Sequence, residues 1–335
     1  MAQAVAGEDV RVDVTTIEKQ LAELWRAEKA DNDDAVTRAA LWNVVAHTWN
    51  SVHHAHATEV LAKASASVPQ RTIIVQSDPA GDAGISSWIS ANCHLIGGGR
   101  QVCSEEVSIV AAGERVHHVP PLLKALLLPD MPVAVWWLGD LPHEHHHYVE
   151  TLLDPADRLI VDSSYFNSAD DLELVASIAR KTTTAPADLN WARLEEWRAA
   201  TATLFDPKPM RERMQSIRNV RVLAGGDASF GNSAAALLYA SWLIVQSGAK
   251  AELEIVREGA APGIRAVELH FDDKSKAVIR REREGGAVVA HAETRLDCIA
   301  RPLAHATEDL IVRLLKRPEA DRVYLKALNM ARTLA

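Results

Sequence analysis

Five consecutive residues, His143-Glu144-His145-His146-His147, set out the spacing H-E-x-x-H. On a helix, His143 and His147 would share one face and could hold zinc, with Glu144 placed to activate a bound water. Pro142 puts the run at the exposed start of a short helix, whereas a zinc site needs a buried, rigid wall. Six positions beyond His147 stands Leu153 rather than a third histidine, and Glu173 is the distant candidate for a further ligand. A solvated histidine-rich turn without metal is expected, with a metal-dependent hydrolase as the alternative. His53, His54 and His56 sit beside another turn and are read the same way.

A second constellation is Gly225-Gly226-Asp227-Ala228-Ser229-Phe230-Gly231-Asn232-Ser233, between an apolar strand and an apolar helix. Backbone amides around Gly225, Gly226, Ser229 and Asn232 could cradle a phosphate at the helix N-terminus. The lysine of a P-loop is missing and the spacing is not that of a dinucleotide fingerprint. A sugar-phosphate-binding regulatory protein is one reading. A plain turn capped by Ser229 or Asn232 is the other. Asp162-Ser163-Ser164 follows a strand, where α/β sheets often place ligands, but no G-x-S-x-G elbow surrounds either serine. A serine there, or Asp170, is expected to cap a helix. Cys93 and Cys103 flank the glycine turn of a hairpin and are expected to be buried, inert thiols. Nucleophile, base and orienting group gather in no segment, so neither catalysis nor a cofactor is expected.

The elements that would position these groups alternate. Helical periodicity covers 13–29, where Ile17, Leu21, Leu24 and Trp25 form a stripe and Thr15 with Glu18 resembles a capping box. A polar connector follows to residue 38. Strands are predicted at 41–50, 71–78, 84–95, 101–111, 132–138 and 157–164, and helices at 56–67, 117–128, 144–153 and 169–180. The helix 188–204 is followed by a hinge at 207–209. A strand at 219–226, a buried helix at 231–247, four strands at 250–257, 264–272, 275–283 and 287–295, and helices at 303–316 and 319–332 complete the chain. The fold class is α/β in two domains: an N-terminal layered α/β sheet, and a C-terminal β-α-β core with an antiparallel meander and terminal helices. The division is 1–38 for the first helix and connector, 39–186 for the first domain and 187–335 for the second.

Among these strands, LLLPDMPVAVWWLGDL (126–141) ends in adjacent tryptophans, Trp136 and Trp137. Neighbours on a strand point to opposite faces, so both indoles are covered only if the strand is covered twice or one indole meets a partner. The strand is therefore either central in a layered sheet or the rim of a docking surface. Nine tryptophans outnumber the four tyrosines and the four phenylalanines. Trp25, Trp191, Trp197 and Trp242 have apolar helical neighbours and read as core. Trp136 and Trp137, with Trp49 and Trp88, are candidates for a partner surface, and Gly139 and Asp140 extend it.

Composition sets the outer bounds. A chain of 335 residues is long for one core. A net charge of -9 argues against nucleic acid or an anionic membrane as partner. The start, MAQAVAGEDVRVDV, lacks a secretory pattern, and charges and prolines interrupt the most apolar run. Three cysteines are too few for a disulfide framework, and a cytoplasmic protein is expected.

Four stretches, PQRTIIV (69–75), QVCSEEVSIVAAG (101–113), PPLLKALLLPDMPVAVWWLGDLP (120–142) and DRLIVDSSYF (157–166), resemble the OpcA family. These are glucose-6-phosphate dehydrogenase assembly proteins. DLNWARLEEWRAATATLFD (188–206) resembles that family's junction between domains, and the similarity runs in order from about residue 40 to 330. The resemblance implies a non-catalytic partner of glucose-6-phosphate dehydrogenase that promotes its active oligomer. Such a protein would support the oxidative pentose phosphate pathway and NADPH supply. Some photosynthetic members are tied to thioredoxin through cysteines. Three cysteines in no C-x-x-C arrangement do not match that pattern.

Overall fold

The computed structural model describes residues 5–6, 10–31, 36–96, 100–141, 146–282, 288–292, 297–300 and 306–335. In chain order the elements are β1 (Val5–Ala6), β2 (Val10–Val12), α1 (Ile17–Asp31), β3 (Val36–Arg38), β4 (Trp42–Thr48), α2 (Ser51–Ser65) and β5 (Gln70–Asp78). Then come β6 (Gly84–Ile96), β7 (Arg100–Ala112), α3 (Val119–Leu126), β8 (Val133–Trp137), α4 (His146–Leu153), β9 (Arg158–Val161) and α5 (Ala169–Lys181). The second half holds β10 (Ala185–Asp188), α6 (Leu189–Arg193), α7 (Glu195–Leu204), α8 (Lys208–Glu212), β11 (Ile217–Gly225) and α9 (Phe230–Ser247). It ends with β12 (Glu252–Arg257), β13 (Gly263–Phe271), β14 (Lys276–Arg281), β15 (Val288–Ala292), β16 (Asp297–Ala300), α10 (Thr307–Leu315) and α11 (Arg322–Leu334).

Two compact units result. The first is Met1–Val161 with Thr183–Ala185 and Ala306–Glu319; the second is Asp162–Thr182, Pro186–His305 and Ala320–Ala335. The chain passes between them several times, where the sequence reading has a single changeover after residue 186.

In the first unit the sheet runs β1-β6-β7-β5-β4-β8-β9, with β2 also on β6 and β3 on β7. Strands β7, β5, β4, β8 and β9 are parallel, and β6 pairs with β7 as a long antiparallel hairpin. All seven residues of β4 and all five of β8 are buried, as expected for parallel strands covered on both faces. Helix α2 covers one face: Gln70 Nε2 donates to Leu61 O on that helix at 3.4 Å. Helix α1 and the end of α3 cover the other, through contacts made by Arg71. Helix α2 starts at Ser51, five residues earlier than its periodicity indicates, because Asn50 caps it by accepting from His53 N at 2.8 Å.

The covered face carries a buried ion pair. Arg71 and Glu105 are register partners on β5 and β7, 1 % and 3 % exposed. Arg71 Nε donates to Glu105 Oε2 at 2.8 Å, and Arg71 Nη1 to Leu126 O at 2.7 Å. Trp25 Nε1 and Arg38 Nη2 also donate to Glu105. Glu18 of α1 reaches across to Arg71 rather than closing a capping box with Thr15; Asp13 caps that turn instead. The connector expected before residue 38 ends in β3, which lies parallel to β7. Cys93 and Cys103 are register partners in the hairpin, with Cα atoms 4.0 Å apart, and they form a disulfide. The expectation of free thiols is thereby corrected, since direct opposition in antiparallel strands brings side chains close enough to bond.

The second unit has a sheet in the order β12-β11-β13-β14-β15-β16. Strands β11 and β12 are parallel and joined through α9, and the others form an antiparallel meander. The expected single helix at 188–204 is two, α6 and α7, with Asp188 capping the first.

Glu105→Ala leaves the Arg71 guanidinium buried without its main counter-charge. Urea denaturation is expected to show a loss of about 3–5 kcal/mol, against a much smaller loss for Arg71→Met combined with Glu105→Leu.

Candidate functional site

Strand order in the first unit reverses at β4: the chain moves from β4 to β5 on one side and later to β8 on the other. The crevice beyond the carboxyl ends of these strands is where open α/β sheets bind ligands. His47 is the last residue but one of β4, Ser77 lies near the end of β5, and Trp137 ends β8 opposite His47 in register. Tyr148 reaches in from α4. His47 Nε2 lies 3.1 Å from Ser77 Oγ and 3.3 Å from Tyr148 OH, and the two hydroxyls are 3.0 Å apart.

Aromatic rings fill the remaining space. The His47 ring is 4.2 Å from Trp137 and 4.7 Å from Trp49, and Trp49 is 5.8 Å from Trp137 and 5.9 Å from Tyr148. Trp137 Nε1 donates to Asp140 O at 2.9 Å, which satisfies its one polar atom. The first turn after β4 reads Thr48-Trp49-Asn50-Ser51 and has no glycine to let a pyrophosphate approach the backbone. Trp49 occupies that approach, and Asn50 takes up an amide at the helix start.

Burial sets the protonation of this cluster. It pushes the His47 imidazole down to about 3, so the ring is neutral at physiological pH. It pushes the Tyr148 phenol up to about 12, against the opposing hydrogen bond from Ser77. Ser77 and His47 are each 0 % exposed, and His47 Nδ1 has no hydrogen-bond partner among the described residues. A hydroxyl beside a neutral imidazole has the composition of a nucleophile and base, but among the described residues no carboxylate meets His47 Nδ1, and both groups are wholly buried. The arrangement packs.

The sequence candidates are thus sorted. Trp137 lies in this cluster. Trp136 lies on the opposite sheet face, with its ring 6.1 Å from His56. They are 1 % and 2 % exposed, so the indoles are core and do not themselves form a contact surface. Gly139 and Asp140 lie at the rim, and Asp140 is exposed. Gly139 has φ +85°, and a Cβ there would meet the His53 ring at 3.0 Å, so a glycine lets this turn lie against the start of α2. His54 instead meets Ser108 Oγ at 2.6 Å on the other face. Residues 143–145 of the H-E-x-x-H run lie outside the described residues, as does the His146 side chain, and His147 is exposed. Among the described residues, no three His, Cys, Asp or Glu side chains are grouped to hold a metal. A cavity of about 360 Å³ lined by Arg38, Gln70, Arg71 and Met131 lies at the amino ends of the strands, away from the crevice.

In the second unit, the loop at Gly225 and Gly226 follows β11 as expected. A Cβ at Gly225 would lie 1.9 Å from Ala261 O, so this glycine serves close packing. Asp227 accepts from Ser229 N at 2.9 Å and from Asn232 Nδ2 at 2.7 Å, using donors that a phosphate would need. Asp162 binds Arg193 through two bonds of 2.9 and 2.8 Å, and Ser168 rather than Asp170 caps α5. Asp188 is fully buried, and burial, then the nearby Asp162 charge, raises its carboxyl to about 6.

Residues His47, Ser77 and Tyr148 were not singled out in the sequence. Their signal was a polar residue near the end of an apolar run, as in LWNVVAHTWN.

Comparison with known proteins bears on both units. Residues 62–177 match the family described as "Glucose-6-phosphate dehydrogenase subunit N-terminal domain", and residues 184–328 match its C-terminal domain. A "Putative OxPP cycle protein OpcA" from Synechocystis sp. is 32 % identical over 182 residues, covering 53 % of this chain and 37 % of that protein. A protein of the same description from Nostoc punctiforme is 27 % identical over 164 residues, covering 48 % and 34 %. The chain thus spans well under half the length of these relatives. Among solved structures, a 3-ketoreductase from Actinomadura kijaniata with NADP is 11 % identical, covers 88 % of this chain and 95 % of its own, and superposes with a TM-score of 0.46. Biliverdin reductase from Synechocystis sp. gives 10 %, 88 %, 98 % and 0.45. Superpositions of this quality bear on neither activity nor cofactor.

The buried imidazole generates a pH dependence. His47 has a folded value near 3 against an ordinary 6.5, so the unfolded chain takes up a proton there first as pH falls. Stability from this group is fully present above pH 6.5 and declines below it, by at most about 1.4 kcal/mol per pH unit. Asp188, raised from 3.8 to about 6, acts with the opposite sign. His47→Phe is therefore expected to flatten the fall in melting temperature between pH 6.5 and 5 relative to the parent protein. Equal slopes would contradict the neutral buried ring.

Proposed function

This chain belongs to the OpcA family, whose N- and C-terminal domains it carries in order, and on that premise we propose that it acts by association. It binds glucose-6-phosphate dehydrogenase and favours that enzyme's active oligomer, supporting the oxidative pentose phosphate pathway in the cytoplasm without turnover of its own. The observation that supports this reading best is the crevice at β4, β5 and β8, which is filled by the protein's own His47, Trp49, Trp137 and Tyr148. No helix among the described residues is long and apolar enough to cross a membrane.

An activator works by binding the active form of its target more tightly than the inactive form. A tenfold shift requires a preference of only about 1.4 kcal/mol. The buried indoles supply no such contact directly; they set the rim above them. There, Val52 is 75 % exposed beside His53, and the turn at Gly139, which precedes the exposed Asp140, lies against the His53 ring. An exposed apolar side chain next to a charged turn gives a partner both an apolar and a polar contact.

Activity of the host's glucose-6-phosphate dehydrogenase is expected to rise on addition of this protein, with the two co-sedimenting. Val52→Asp and Asp140→Arg should each weaken the apparent affinity by about tenfold while leaving the fold intact. Unchanged activation by both variants removes this rim as the contact. Failure of the parent protein either to co-sediment or to alter activity removes the function.

A further inference from the structure

Among the described residues, helices pack on one face of strands β11 to β14 in the second unit, while on β15 the residues of both faces, Val288 and Val289, are buried. Helix α9 packs on β11, β12 and β13, and α7 packs on β14, β15 and β16. Their inward residues, such as Val220, Val222, Val267, Leu269 and Ile279, are wholly buried. The outward residues of the same strands are half-buried or exposed.

Strand register arranges that open face in rows. One row runs Val256–Leu223–Ala266, apolar across three strands, and continues to Arg280 on β14. Alternation along a solvated strand should place polar residues there. A parallel row begins with Glu252 on β12 and reaches Lys276 on β14 through Asn219 and His270. Between the two rows Glu254 of β12 pairs with Arg221 at 3.4 Å, and Glu268 meets Arg221 at 3.5 Å and Lys276 at 3.3 Å, whereas no ion pair is found for Glu252 or Arg280 among the described residues. Thus β12 is acidic, β14 is basic, and they lie on either side of β11 and β13. Glu252, Glu254, Lys276 and Arg280 are all exposed.

We propose that this face is the interface for a second copy of the chain. A two-fold axis running parallel to the strands, above the line between β11 and β13, exchanges β12 of one copy with β14 of the other. Row order is preserved by that rotation. Glu252 meets the other copy's Lys276, Leu223 meets the other copy's Ala266, and Arg280, which falls over the other copy's Val256, reaches towards Glu254 two residues along the same strand. An isologous contact requires this self-complementarity. Sheets packed face to face at ~10 Å let such side chains meet. The contact is separate from the rim at Val52 and Asp140, so it leaves the dehydrogenase reading untouched.

Sedimentation velocity of the full chain without the dehydrogenase tests it, over protein concentrations from about 1 to 50 µM. A concentration-dependent dimer is expected. Glu252→Lys and Lys276→Glu should each raise the dimer dissociation constant by about tenfold or more, and the two together should restore it to within about threefold. Leu223→Asp should abolish the dimer, with circular dichroism and thermal melts reporting whether each variant folds. Should Leu223→Asp not fold, the charge-reversal pair still decides. A monomer throughout, or a dimer indifferent to both reversals, overturns the proposal.

Discussion

Two adjacent tryptophans on one strand cannot share a face of a sheet, and both here are buried. That constraint organises the first unit. Covering Trp136 requires a helix layer on one face, which α2 provides through His56. Covering Trp137 requires a filled space on the other face, at the carboxyl ends of the strands, and His47, Trp49 and Tyr148 fill it. One strand thereby makes the sheet a central layer and closes the crevice in which such sheets ordinarily hold ligands.

The buried polar groups follow from the same closure. Ser77, Tyr148 and His47 Nε2 hydrogen-bond to one another, His47 Nδ1 is left without a partner among the described residues, and burial holds the imidazole neutral. Towards the other end of that sheet face, Arg71 and Glu105 are held by Trp25, Arg38 and Glu18, so α1 is bound to the sheet by charge as well as by its apolar stripe. Breaking either network by removing one member is costly, since a stranded buried charge or polar group loses its hydration without replacement.

Much of the fold was legible in the sequence. The parallel core, the 84–96 and 100–112 hairpin and the C-terminal meander follow from apolar runs between turn residues. Periodicity could not show that Asn50 starts α2 early, or that Asp13 rather than Thr15 caps the first turn, because capping depends on side-chain geometry. The glycine turn that Cys93 and Cys103 flank does not reveal that they bond, because bonding depends on a register that only strand pairing fixes. For the site, the tryptophans were visible and their partners were not: His47, Ser77 and Tyr148 lie 30 and 71 positions apart and converge only through topology. Exposure was the least legible property, since a tryptophan anchoring an interface and one filling a crevice look alike in a string of letters.

The most direct test is a titration of the isolated protein with NADP, NADPH and glucose 6-phosphate, followed by tryptophan fluorescence and calorimetry. A crevice occupied by His47, Trp49, Trp137 and Tyr148 predicts no saturable binding up to about 1 mM, a free energy of about -4 kcal/mol. Stoichiometric micromolar binding that quenches tryptophan emission and is lost on Ser77→Ala or Tyr148→Phe would contradict it.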